Sequence, residues 1–77
     1  MEVSIWTKAG VLRLIGDPIA VAGLVANAYG YGEVDVEPMA TGGFSISAKK
    51  SNGMTCTSGR TASDACENFV IAVMGKQ

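Results

Sequence analysis

The chain has 77 residues, of which 48% are apolar and 17% charged. That suits one small globular domain with a thin core, burying roughly 60–65% of the surface its unfolded form exposes. A net charge of −1, a pI near 5.1 and no cationic run beyond Lys49-Lys50 speak against direct nucleic-acid binding. Two cysteines and no histidine leave no ordinary zinc site.

Met1-Glu2-Val3-Ser4 lacks the basic start and long apolar core of a signal peptide. The apolar run from Val11 to Tyr31 is interrupted by Arg13, Asp17 and Pro18, and its uncharged part is too short to span a membrane. These features predict a soluble, cytoplasmic protein without membrane contact. Charged surface is sparse and small polar residues are common, which favours self-association over electrostatic steering.

Val3–Thr7 alternates and is rich in β-branched and aromatic residues, so it reads as a first strand. Lys8-Ala9-Gly10 is a turn and Val11–Ile15 a second strand, broken by Gly16. Asp17–Gly30 reads as a helix that is apolar nearly all the way round. Asp17 suits its N-cap, Pro18 its first position, and Gly30 the left-handed residue that ends it.

Glu33–Glu37 alternates strictly, with Val34 and Val36 on one face and three carboxylates on the other. Pro38 ends this strand or confines it to an edge. Phe44–Lys49 is a further strand, Asn52-Gly53 predicts a type I′ hairpin turn, and Met54–Ser58 is the return strand. Thr61 caps a second helix, with Asp64 in its first turn; Ala62, Cys66, Phe69 and Val73 form its apolar stripe, widened by Ala65, Val70 and Ile71. Gly75-Lys76-Gln77 is expected to fray.

The order ββαβββα, with short connections, predicts an α+β two-layer sandwich over residues 1–77: a mostly antiparallel five-stranded sheet with two helices on one face. The inward face is expected to carry Val3, Ile5, Leu12, Leu14, Val34, Val36, Phe44, Ile46, Met54 and Cys56. An internal echo accompanies this order. Val3-Ser4-Ile5, Gly10 and Gly16 before one helix match Phe44-Ser45-Ile46, Gly53 and Gly59 before the other.

No catalytic constellation emerges. Cys56 and Cys66 have no histidine to activate them; they are either buried free thiols or, from strand to following helix, a disulfide. Gly30-Tyr31-Gly32 and Thr41-Gly42-Gly43 complete neither phosphate-binding fingerprint. Glu33, Asp35 and Glu37 could bind a divalent cation or simply face water, and no cofactor or metal is expected.

Three binding features remain. Ala22, Gly23 and Ala26 would let a second copy approach the first helix closely, predicting a homo-oligomer, with a dimer the commonest form. Trp6 falls on the otherwise polar sheet face, where an aromatic is a candidate hot spot, unless the register is displaced by one residue. Glu33, Asp35 and Glu37 could imitate nucleic-acid phosphates locally and occupy a basic groove of another protein.

In size, acidity and absence of catalytic residues the chain resembles small phage-encoded accessory proteins that inhibit host defence, such as anti-CRISPRs. The resemblance rests on bulk properties rather than on a motif. It implies a non-enzymatic inhibitor that blocks a surface of a larger host protein or protein–nucleic acid complex, acting in the host cytoplasm. Trp6, Glu33, Asp35 and Glu37 are the expected contacts. The alternative is an oligomeric small-ligand or nucleotide-binding sponge, with pockets formed by the glycine loops and Ser/Thr hydroxyls.

Overall fold

The structure, a computed structural model, describes residues 1–7 and 10–75, and of Trp6, Thr7 and Leu12 the backbone only. The turn expected at Lys8-Ala9, the fraying of Lys76-Gln77, and the facing of Trp6 and Leu12 therefore lie outside the described residues. The chain order is β1 (Glu2–Thr7), β2 (Gly10–Ile15), α1 (Pro18–Ala28), β3 (Asp35–Pro38), β4 (Phe44–Lys50), β5 (Gly53–Gly59) and α2 (Ala62–Met74).

The class is α+β and the pairing antiparallel, but the expected single five-stranded sheet is two sheets. β1 and β2 form a hairpin of their own, and β3, β4 and β5 form a three-stranded sheet with β4 central. The reason is where each hairpin packs. β4 and β5 lie against α2, whereas β1 and β2 lie against α1. The two helices pack on each other, so the hairpin is held at the helices rather than at an edge of the larger sheet. A two-stranded hairpin has little stability alone and gains it from such helix packing.

Local signals set the helix ends as expected. The Asp17 carboxylate accepts the Ala20 N–H at 3.3 Å, and Pro18 occupies the first turn of α1. At the far end Gly30 has φ +86°, a region open to glycine. There the Gly30 N–H donates to the Asn27 carbonyl at 3.2 Å and the Tyr31 N–H to the Ala26 carbonyl at 2.8 Å. That is a Schellman ending, and it turns Tyr31 back into the core. Thr61 caps α2, its hydroxyl accepting the Asp64 N–H at 3.0 Å.

One hydrophobic cluster joins all layers: Ile5 from the hairpin, Val21, Ala22, Val25 and Ala26 from α1, Ile46 and Ala48 from β4, and Ala65, Cys66, Phe69, Val70 and Val73 from α2. Ala22 and Ala26 are fully buried in it, and Gly23 is half-buried, within 3.7 Å of Val34 once given a Cβ. The small-residue face expected to meet a second copy is thus spent on the protomer's own core. Its small side chains let α1 approach its neighbours within the chain. Ile71, expected to widen the buried stripe of α2, is instead 63% exposed.

The facing of β5 also differs from expectation. Thr55 is buried and Thr57 half-buried, while Met54 and Cys56 are exposed. The turn residues are Ser51-Asn52, with Lys50 paired to Gly53. None of the non-glycine residues described has a positive φ, so this is not the type I′ Asn52-Gly53 turn. A two-residue loop sets even-numbered residues of β4 opposite odd-numbered residues of β5. Ile46 and Ala48 face inward, so Thr57 and Thr55 must as well.

The echo between the two halves persists in this register. Thr7 pairs with Gly10 as Lys50 pairs with Gly53, and each hairpin leads into a helix. Among the described residues no helix is long and apolar enough to cross a membrane.

Candidate functional site

The inner face of the three-stranded sheet is covered by helix, and its outer face is open. Alternation along the chain decides which side chains stand there. Val34 and Val36 are half-buried, and Glu33, Asp35 and Glu37 between and beside them are exposed. Asp35 and Glu37 lie in β3, opposite Ser47 and Ser45 of β4. Glu33, expected within the strand, precedes it. The row is nonetheless continuous, because the Gly32 N–H donates to the Lys49 carbonyl at 2.8 Å and holds this segment along β4. A shallow hollow of about 170 Å³ beside the row is lined by Gly32, Glu33, Asp35, Ser47, Ala48 and Lys49.

Successive carboxylates in such a row are spaced by two residues, or roughly 6.6 Å along a strand. Among the described residues no group of three or more His, Cys, Asp or Glu is placed to hold a metal ion. The same spacing suits serial contacts with several cationic side chains. The one ion pair among the described residues is elsewhere, Arg13 to Glu2 at 2.8 Å on the hairpin, with both side chains more than half exposed. At that exposure it contributes little to stability. The three carboxylates are exposed and have no ion-pair partner among the described residues.

The Trp6 backbone is not part of this sheet. It lies in β1 opposite Val11, in the other sheet, and the side chain is outside the described residues. The outer face instead gains Met54 and Cys56, which hydrophobicity alone places inside. Hairpin parity was the signal that could have found them.

The two cysteines are free and differ in environment. Burial pushes the Cys66 thiol above its ordinary value, and the Asp17 carboxylate adds to the shift. A protonated, buried thiol is a poor nucleophile. A thiol reagent is expected to modify exposed Cys56 in the native protein and Cys66 only on unfolding; equal rates at both would contradict this placement. Because the folded state keeps Cys66 protonated, stability from this group is present below the ordinary thiol range, near roughly 8.5. It falls as pH rises through and above that range, where the unfolded chain ionises first. Denaturant midpoints across that range should fall more steeply for the native sequence than for Cys66→Ala.

Elsewhere the surface hollows are open. One of about 390 Å³ lies between the start of β1 and α2, lined by residues including Met1, Val3, Val70 and Ile71. Another, of about 400 Å³, lies between the Thr41-Gly42-Gly43 loop and Arg60. No family model matches this chain, and no curated protein and no solved structure matches it either.

Proposed function

We propose that this is a non-enzymatic binding protein that works by laying the open face of its three-stranded sheet on a basic surface of a larger protein. The observation that carries the reading is the exposed row Glu33, Asp35 and Glu37, held in line by pairing with β4. A row of carboxylates on a rigid strand offers anionic groups at fixed spacing, as a nucleic-acid backbone does. A partner that grips phosphates with Lys and Arg is therefore the chemistry it fits. Competition for such a groove is inhibition, which is what the resemblance to small phage-encoded accessory proteins implies.

The low net charge makes the effect local. Association should be fast at low salt and slow at high salt, while the isolated protein remains insensitive to salt. The test is capture from bacterial lysate by tagged native protein and by the Glu33→Gln/Asp35→Asn/Glu37→Gln variant. All three positions are exposed, so the variant is expected to fold. A stoichiometric partner held by the native protein should be held at least roughly tenfold more weakly by the variant. Equal capture by both removes the acidic row from the contact.

A further inference from the structure

Among the described residues β5 is the less protected edge of the three-stranded sheet. Natural sheets protect their edges with charge, proline, bulges or a covering element. At the opposite edge β3 is four residues long, carries two carboxylates and ends in Pro38. β5 has seven residues, Gly53-Met54-Thr55-Cys56-Thr57-Ser58-Gly59, with no charge, no proline and an unbroken register.

The hairpin decides which backbone groups face outward. Lys50 and Gly53 flank the two-residue loop as a hydrogen-bonded pair, so the odd-numbered residues of β5 bond to β4. The even-numbered residues turn their N–H and C=O groups to the free edge. Two bonds fit this pattern. The Lys49 carbonyl, directed away from β5, accepts the Gly32 N–H, and the Ser58 carbonyl, directed outward, accepts Asn68 Nδ2 at 2.8 Å. Asn68 thereby closes one end of the edge. Met54 and Cys56 remain, with outward backbone groups and no partner among the described residues.

Apolar surface flanks the same edge. Met54 is 56% exposed on the outer face of the sheet.

We propose that this edge takes β5 of a second copy, antiparallel, across a twofold axis at Thr55. Met54 then exchanges backbone hydrogen bonds with the partner's Cys56, and Cys56 with the partner's Met54. This register leaves the Asn68–Ser58 bond in place. Charge selects β5 as the edge, and the self-complementary placing of Met54 and Cys56 about Thr55 selects a second copy as its occupant. Two uncharged strands meet without opposition, whereas self-pairing of β3 would set carboxylates against carboxylates. The product is one six-stranded sheet with an acidic row at each end, closed by an isologous contact. The proposal does not depend on what the acidic rows bind.

Sedimentation equilibrium of the full chain tests it. From micromolar to millimolar concentration the average mass should rise from 7.9 kDa toward twice that. Amide exchange at Met54 and Cys56 should slow in step. Cys56→Pro removes an outward N–H without touching the ladder to β4, and Met54→Lys places a charge on the edge. Each is expected to weaken association at least about tenfold with the far-ultraviolet spectrum unchanged. Met54→Lys, at an exposed position, decides the matter if Cys56→Pro fails to fold. A mass of 7.9 kDa at millimolar concentration overturns the proposal. So does association undiminished by Met54→Lys, or a dimer in which the Met54 and Cys56 amides exchange as in the monomer.

Discussion

Gly59→Ala is expected to destabilise the fold by about 3 kcal/mol or more. Gly59 ends β5 where the chain turns into α2, and the helix begins almost on top of it. A Cβ there would lie 2.5 Å from the Ala65 nitrogen and 2.7 Å from both the Asp64 carbonyl carbon and Cβ. Two of these atoms are backbone of α2, so relief requires moving the helix away from the sheet it covers. The Gly59 carbonyl is also close to the Thr41-Gly42-Gly43 loop, where a Cβ on Gly43 would approach it at 2.6 Å. At roughly 4–8 °C per kcal/mol for a domain of this size, the midpoint of thermal unfolding should drop by more than about 12 °C. Gly53→Ala, at the other end of the same strand, is the control. A Cβ at Gly53 meets nothing within 4 Å, and its φ is not positive. It should change stability by no more than about 0.5 kcal/mol. Matching melts for the two variants would contradict the close approach of α2.

Thr55→Val should cost about 1–3 kcal/mol although it preserves shape. The Thr55 hydroxyl lies 2.7 Å from the Tyr31 hydroxyl in the core. Tyr31 follows the glycine ending of α1, packs edge-on against Phe69 with ring centroids 6.2 Å apart, and has Lys50 Nζ 4.9 Å above its ring. One side chain thus ties the end of α1 to β4, β5 and α2. Removing Thr55's hydroxyl takes a buried partner from Tyr31, and Tyr31→Phe does the reverse. The double variant Tyr31→Phe/Thr55→Val removes both hydroxyls and should cost less than the two single losses added together. Additive losses, measured by denaturant unfolding, would mean the two hydroxyls do not act as a pair.

Thr55 also shows where the sequence could be read and where it could not. Capping chemistry is local, so Asp17-Pro18, Gly30 and Thr61 were legible at once, and both helices follow. Strict alternation made the Glu33, Asp35 and Glu37 row legible, because Val34 and Val36 leave no other facing. In β5, Met54 and Cys56 are more apolar than Thr55 and Thr57, and composition points the wrong way. Pairing to β4 overrides it, and the hydroxyls are satisfied inside, Thr57 donating to the Ala65 carbonyl at 3.0 Å. The division into two sheets was not legible, since it depends on which surface the β1–β2 hairpin packs on. Nor was the use of Ala22 and Ala26, whose small side chains suit a close approach within the chain as well as between chains.

The most direct measurement of the binding account is a hydrogen-exchange footprint of the native protein in complex with a partner captured from bacterial lysate. The account predicts slowed exchange in the Gly32–Glu37 segment and in β4, with α1 unchanged and the footprint weakened by salt. Protection confined to α1 or to the hollow between β1 and α2, with the acidic segment exchanging as in the free protein, would contradict it.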